Sequence, residues 1–402
     1  MLHPDALVIA MVGLPARGKT YVARKLERYL GWCGLSARLF NVGDYRREKV
    51  GAKKEAAFFD PDDPNTRALR RALAMDVLDA ALAWLDDGGR VAIYDATNTS
   101  HSRRTALLER CDAKGVRVLF IEVVREDESV IDANIRETKL SLPDYEGVAP
   151  EAAFQDFRAR IAHYASAYDP VAETERRFIQ WIDGGRRIVL HRIEDATCAR
   201  IATFLMHLGP GRGQVWLTRH GESMHNRHGL IGGDARLSET GRAYAERLAS
   251  EVRSHEATLG TFAVWTSTLR RTVETAAAFP HARAWRALDE IHAGVCEELT
   301  YAQIRDRHPE VAAQRALDKF RYRYPRGESY EDLIARLDPV VLELERRKTP
   351  TLVVGHQAVL RALYTYLMGI PPDRCPHIDI PLHTVIRLTP EVFAFTEARV
   401  AL

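Results

Sequence analysis

LVIAMVGLPARGKT, residues 7–20, decides how the first half of the chain is read. Leu7 to Val12 is a continuous apolar run with the length and branched content of a strand buried on both faces. Gly13, Leu14, Pro15, Ala16, Arg17, Gly18, Lys19 and Thr20 follow at once in the spacing G-x-x-x-x-G-K-[ST], and residues 19–30 then place Val22, Leu26 and Tyr29 or Leu30 on one helical face. Strand, glycine loop and helix in that order let backbone N–H groups turn inward around phosphate oxygens, with the helix N-terminus adding positive potential. Lys19 then reaches the terminal phosphates and the Thr20 hydroxyl ligates Mg²⁺. A glycine turn without a ligand is the competing reading, and the strand–loop–helix context argues against it.

Outward from this loop, apolar runs at residues 38–42, 91–94 and 116–124 alternate with amphipathic stretches. That alternation predicts a mainly parallel sheet with helices on both faces. Asp95 ends the run 91–94, at the carboxyl edge where such sheets bind ligands, and supplies a carboxylate for the metal or for an accepting hydroxyl. Capping the next helix is its alternative use. Arg46 and Arg47, Arg70 and Arg71, Arg103 and Arg104, Lys139 and Arg160 are clustered cations. Solvated helix faces explain any one of them, a phosphorylated acceptor explains several together, and spacing does not choose.

LGPGRG, residues 208–213, breaks the pattern, and a new strand begins at 215–218. Strands at 262–265, 351–354 and 385–388 interleave with helices near 239–252, 269–278, 331–345 and 358–367, so two domains, 1–211 and 212–402, meet at about 209–213. VWLTRHGES sets Arg219 and His220 at the end of the first of these strands, and TLVVGHQAV sets His356 at the end of another. Both histidines therefore meet at one sheet edge, joined by Arg271 after a third strand and by the acid Glu290. A neutral imidazole is a good nucleophile at phosphorus, arginines stabilise the equatorial oxygens, and a carboxylic acid protonates the leaving alkoxide. Spacing leaves the two histidines nearly equivalent. Arg219 and the side-chain-free Gly221 beside His220 favour it as nucleophile, while His356 at a helix start suits a fixed hydrogen-bond donor.

Composition narrows the classes. The chain has 402 residues, 46% hydrophobic and 28% charged, with apolar material for two cores. Its 57 basic and 55 acidic residues give a net charge of +2, which leaves no general field for nucleic acid. Cys33, Cys111, Cys198, Cys296 and Cys375 are scattered without metal-ligand spacing, as in reduced cytoplasmic proteins. No basic leader and no apolar stretch near 20 residues is visible, so neither secretion nor a membrane is expected.

GLPARGKTYVARKL, FNVGDYRRE, DATNTS, SLPDY, TRHGES, IGGD, AGVCEELTY, YRYPRGESYEDL, GHQAVLR and PLHTV together resemble the bifunctional 6-phosphofructo-2-kinase/fructose-2,6-bisphosphatase family over nearly the whole chain. The second half separately resembles the phosphoglycerate-mutase-like histidine phosphatases. The resemblance implies an α/β protein of two domains, an N-terminal P-loop kinase and a C-terminal histidine phosphatase. It implies transfer from MgATP to the 2-hydroxyl of fructose 6-phosphate, with Lys19, Asp95 and Lys139 catalytic, Thr20 and Asp95 on Mg²⁺, and residues 13–21, through Tyr21, with Asn134 and Lys139 on the nucleotide. Arg46, Arg70, Thr97, Arg103, Lys139, Arg160 and Tyr164 match positions that hold the sugar phosphate. It also implies removal of the 2-phosphate through a phosphohistidine on His220, with Glu290 as proton donor and His356, Arg219 and Arg271 around the phosphoryl group. Asn226, Gly232, Tyr301, Arg315, Lys319, Tyr330, Gln357 and Arg361 match positions that bind the bisphosphate.

His101 and Leu230 stand where basic residues are expected in animal members, which puts peripheral contacts in doubt. The sequence starts and stops almost at the matching core, so control through phosphorylated extensions is not expected, and a homodimer is carried over from the family. The rival readings are one working and one vestigial site, another sugar phosphate, or a non-catalytic nucleotide and sugar-phosphate sensor.

Overall fold

The computed structural model describes residues 3, 5–209 and 213–402; most of the expected boundary, 210–212, lies outside them. The chain divides into two compact units. One holds Leu35–Leu208 and the chain before Gly31, and the other holds Gly209–Leu402 and the segment Gly31–Gly34.

In the first unit the strands are β1 (Leu7–Val12), β2 (Ala37–Asn41), β3 (Val91–Asp95), β4 (Arg117–Val124), β5 (Arg177–Ile182) and β6 (Arg187–His191), in the sheet order β2-β3-β1-β4-β5-β6. All neighbours are parallel except β5 and β6. Every residue of β1 is buried, which is why its apolar run does not alternate. Val8, Ala10 and Val12 join Leu78, Leu82, Tyr94 and Phe120 in one cluster. The helix Lys19–Trp32 buries Val22, Leu26, Tyr29 and Leu30, so both candidates for the last inward position are inside.

The sequence reading missed the β5–β6 hairpin. Its edge strand is mostly exposed and has no apolar run to find, but the turn was visible as Asp183-Gly184, with φ of 49° and 71°. Asp95 does not cap the next helix; Ser100 does, on His101–Asp112.

The second unit contains β7 (Val215–Arg219), β8 (Ala263–Thr266), β9 (Arg283–Ala284), β10 (Thr351–Gly355), β11 (Thr384–Pro390) and β12 (Phe395–Ala401), in the order β12-β11-β7-β10-β8-β9. The four strands from β7 to β9 are parallel, and β11 and β12 add an antiparallel edge. The anticipated helices appear as Glu239–Leu259, Arg270–Thr275, Tyr330–Arg346 and Gln357–Met368.

One buried ion pair ties the helix His101–Asp112 to the loop that precedes β5. Arg104 is 1% exposed; its Nε lies 2.7 Å from one Glu175 carboxyl oxygen, and it also donates to the carbonyls of Asn98 and Asp169 at 3.0 and 2.9 Å. Glu175→Ala leaves this guanidinium buried without its counter-charge, and is expected to lower the unfolding free energy of this unit by about 3–5 kcal/mol, read by urea denaturation. An unshifted midpoint would mean that the carbonyls alone hold Arg104.

Candidate active sites

Parallel register places the chemistry of the first unit. Asn41 pairs with Asp95 across β2 and β3, and β1 lies on the other side of β3, so the loop after Val12 and the end of β3 share one sheet edge. Gly13, Leu14, Pro15, Ala16, Arg17 and Gly18 form the turn into the helix that starts at Lys19 and continues through Tyr21. Gly13 has φ +129°, and a Cβ there would stand 2.5 Å from the carbonyl oxygen of Val123, so glycine is required. The Gly13 N–H donates to Thr97 O at 2.9 Å, and Asn134 Nδ2 to Ala16 O at 3.0 Å, which brings both residues to the loop.

Lys19 donates to Leu14 O at 2.7 Å, and burial lowers its pKa to about 7 against the opposing pull of Asp95. Thr20 Oγ1 and Asn41 Nδ2 each donate to Asp95 Oδ2 at 2.7 Å. Burial nevertheless raises the Asp95 pKa, because desolvation of the carboxylate outweighs these bonds and the Lys19 and Lys139 charges. Lys139 ends the helix Glu128–Thr138, and burial lowers its pKa too, with Asp95 opposing. Among the described residues the buried Arg17 Nη1 has no hydrogen-bond partner.

The clustered cations resolve around Phe59. Arg160 stacks on its ring at 3.5 Å with its Nε buried and unpartnered, Arg46 lies 5.7 Å from the ring, and Tyr164 packs at 5.9 Å. Arg46 and Arg47 both reach Asp144, the second at 3.0 Å. Arg70 lies beside Tyr164 and Arg103, but spends its guanidinium on the carbonyls of Phe59, Asp60 and Thr66, at 2.8, 2.6 and 3.3 Å. Arg103 also faces the Tyr94 hydroxyl. Arg71 and His101 are exposed, and the His101 ring lies 3.6 Å from Glu175.

In the second unit Gly355 pairs with Arg219 across β10 and β7, so the residues that follow, His356 and His220, leave the sheet together with ring centroids 5.2 Å apart. His220 Nδ1 lies 2.7 Å from Gly221 O. A carbonyl only accepts, so Nδ1 carries the proton and Nε2 keeps its lone pair. Arg271 Nε–H points between the rings, 3.1 Å from His220 Nε2 and 3.2 Å from His356 Nδ1. His356 Nδ1 is therefore an acceptor as well. Its Nε2–H is directed at Ser267 Oγ at 2.7 Å. Its expected role as a donor near the phosphate is thus directed, in this state, at a buried serine.

A cavity of about 260 Å³ opens on His220. Arg219, Asn226, Leu230, Gly232, Arg271, Glu290, Tyr301, Arg315, Lys319, Tyr330, Gln357 and Arg361 line it, which brings together every residue expected here except the fully buried His356. Arg219 Nε is buried and unpartnered. Glu290 Oε1 accepts from the N–H groups of Ile291 and Ala358 at 3.0 and 3.2 Å, yet burial raises its pKa, which favours the protonated acid. Lys319 donates to Pro376 O at 3.0 Å, and burial lowers its pKa to about 8.

Four supporting residues escaped the sequence reading. Asp144, in the quoted SLPDY, orients Arg46 and Arg47. Asn41 holds Asp95. Ser267 holds His356. Glu297 accepts from Gly233 N and Ala293 N at 2.5 and 2.6 Å, and so shapes the loop whose Gly233 carbonyl takes Arg271 Nη1 at 2.6 Å. Each is a polar side chain whose partner is remote in sequence, and spacing carries no mark of that.

Burial first, and the Arg271 charge second, hold both His220 and His356 well below the usual imidazole pKa of 6.5. A lowered pKa keeps the neutral ring down to lower pH. Neither ring is therefore expected to titrate between about pH 8 and pH 6 in ¹⁵N-histidine NMR. Arg271→Ala removes the second cause and should move both midpoints upward. A wild-type midpoint near the ordinary value would contradict this electrostatic reading.

The family model for 6-phosphofructo-2-kinase matches residues 2–210, and that of the histidine phosphatase superfamily (branch 1) matches residues 215–400. A 6-phosphofructo-2-kinase/fructose-2,6-bisphosphatase of Gallus gallus is 44% identical over 96% of this chain and 83% of its own length. A Homo sapiens relative with that name and the number 3 is 44% identical over 96% of this chain and 75% of its own. An Arabidopsis thaliana relative is 45% identical over 98% of this chain and 53% of its own. With both models in succession on one chain and relatives of that name 44% identical over 96% of it, the chain belongs to the 6-phosphofructo-2-kinase/fructose-2,6-bisphosphatase family.

Proposed function

We propose that the chain synthesises and hydrolyses fructose 2,6-bisphosphate, with the transfer reaction in residues 1–211 and hydrolysis in residues 212–402. The observation that carries this reading is the pairing of a lysine-bearing phosphate loop in one unit with a neutral, Nδ1-protonated histidine at a cation-lined cavity in the other.

In the transfer reaction the loop from Gly13 to Thr20 and Asn134 hold ATP, and Lys19 neutralises charge on the moving phosphoryl group. Thr20 Oγ1 and Asp95, 2.7 Å apart, are the hard oxygen donors that suit Mg²⁺, which when bound would neutralise phosphate charge. Arg46, Arg70, Thr97, Arg103, Arg160 and Tyr164 hold the 6-phosphate of fructose 6-phosphate and orient its 2-hydroxyl. Asp95 takes the hydroxyl proton, and Lys139 adds positive charge between the two substrates.

In hydrolysis His220 Nε2 attacks the 2-phosphorus while Glu290 gives its proton to the departing O2, releasing fructose 6-phosphate. Water then attacks the phosphohistidine, Glu290 regains a proton, and inorganic phosphate leaves. Arg219 and Arg271 stabilise the equatorial oxygens, and His356 keeps Arg271 in line. Asn226, Gly232, Tyr301, Arg315, Lys319, Tyr330, Gln357 and Arg361 bind the rest of the bisphosphate. We assign the protein to the cytoplasm as a homodimer, without nucleic acid or membrane partners. The scattered free cysteines support the compartment and the balanced charge the lack of nucleic acid, the homodimer is carried over from the family, and among the described residues no helix is long and apolar enough to cross a membrane.

The deciding experiment incubates the protein with MgATP and fructose 6-phosphate and identifies the sugar product. Fructose 1,6-bisphosphate, or no product, would reject the transfer assignment. Lys19→Ala should abolish synthesis and leave hydrolysis nearly unchanged. Bisphosphate labelled at the 2-phosphate should place acid-labile label on His220, and His220→Ala should remove it; stable label on His356 would reverse the roles.

Arg160→Ala tests acceptor recognition. Loss of one charged hydrogen bond corresponds to about 1.5–3 kcal/mol, so the KM for fructose 6-phosphate should rise roughly 10–100-fold, with the KM for ATP far less affected. Equal effects on both substrates would remove Arg160 from the acceptor site.

A further inference from the structure

Asn41 sits where two parts of the transfer site meet, and its two amide atoms serve different parts. It closes β2 and pairs in register with Asp95 at the end of β3. Its Oδ1 accepts the Asp44 N–H at 2.9 Å, capping the helix Val42–Val50. A backbone N–H can only donate, so the oxygen must face Asp44 and the amide nitrogen must face the carboxylate. That nitrogen stands 2.7 Å from Asp95 Oδ2, the same oxygen that takes the Thr20 hydroxyl at 2.7 Å. Two donors from separate elements on one oxygen fix the plane of a buried carboxyl group.

The capped helix carries Arg46 and Arg47, which reach the Asp144 carboxylate. One side chain therefore defines both the orientation of Asp95 and the starting point of the helix that presents Arg46. We infer that Asn41 is a positioning residue that couples the carboxylate of the transfer reaction to the arginine helix that grips its acceptor. This rests on the proposed function, in which Asp95 meets the 2-hydroxyl and Arg46 the 6-phosphate. No shorter side chain keeps both Asn41 contacts at once. Serine and threonine accept the cap hydrogen bond but are one bond too short to reach Asp95, and alanine offers neither contact.

That difference separates the two roles. Asn41→Ser and Asn41→Thr should lower kcat for synthesis about 10-fold or more, the loss set by one hydrogen bond to a charged group. The KM for fructose 6-phosphate should stay within about twofold, and amide hydrogen exchange over residues 42–50 should match wild type. Asn41→Ala should lower kcat as much, raise that KM several-fold and speed exchange in the same helix. Hydrolysis of fructose 2,6-bisphosphate normalises the amount of chain, and amide hydrogen exchange over the buried strands Leu7–Val12 and Val91–Asp95 reports whether the first unit of each variant is folded.

Wild-type kcat in both hydroxyl variants would overturn the orienting role. An alanine variant that matches them in KM and in exchange would overturn the coupling to the helix. A wild-type protein that makes no fructose 2,6-bisphosphate would defeat the proposed function instead, while the exchange comparison would still decide the capping half.

Discussion

In both units the reacting groups leave the sheet at the carboxyl ends of adjacent parallel strands, and the register of those strands sets the distances between them. Gly355 opposite Arg219 puts two imidazoles 5.2 Å apart without any loop having to fold back. Asn41 opposite Asp95 does the same for an amide and a carboxylate. β3, β7 and β10 are buried on both faces and cannot slip by one residue without misplacing their side chains, whereas β2 is a half-buried edge strand held in register by β3. The antiparallel strands lie outside these pairs: β6 and β12 are edge strands, and β11 joins β12 to β7.

Burial then decides the protonation states. Lys19 and Asp95 attract one another, yet desolvation dominates each: the amine is drawn down to about 7 and the carboxyl upward. His220 lies among arginines, which alone would favour the neutral ring, and burial acts in the same direction. Glu290 accepts two backbone N–H bonds that favour its anion, and burial overrides them. Exclusion of water thus moves His220 toward the neutral ring and Glu290 toward the protonated acid, the direction that the proposed phosphoryl transfer to histidine requires.

Local patterns made much of this legible in the sequence. The phosphate loop reads from eight consecutive residues, and both histidines read as strand ends because apolar runs mark the strands. The boundaries of β1, β3, β4, β7 and β10 fell within a residue or two of the apolar runs. Illegible were the contacts closed by the fold. Nothing in the spacing told Arg160, stacked on Phe59, from Arg71, exposed on its helix. The pairing of Asp144 with arginines nearly a hundred residues earlier, and of Ser267 with His356, exists only once the sheet has formed. The β5–β6 hairpin was overlooked for a different reason: its exposed edge strand has no apolar period, although its turn dipeptide was in plain view.

Among the described residues several buried arginine donors lack acceptors; those of Arg90, Arg117, Arg347 and Arg387 lie outside the candidate sites, and three others stand at them. Arg17 Nη1, Arg160 Nε and Arg219 Nε are buried without hydrogen-bond acceptors, and they stand at the phosphate loop, beside Phe59 and at the His220 cavity. A buried N–H of a charged group is costly to leave unmade, and cores seldom retain one. Arg70 and Lys319 show the alternative, since each spends its donors on nearby carbonyls. The protein therefore keeps two kinds of cation at these sites. One kind is held by carbonyls of the fold, bonds that the phosphate contacts proposed for Arg70 and Lys319 would share or replace. The other, in the function proposed above, meets oxygen-rich anions, so that the cost of leaving its donors unmade on folding would be recovered on binding of phosphorylated ligands.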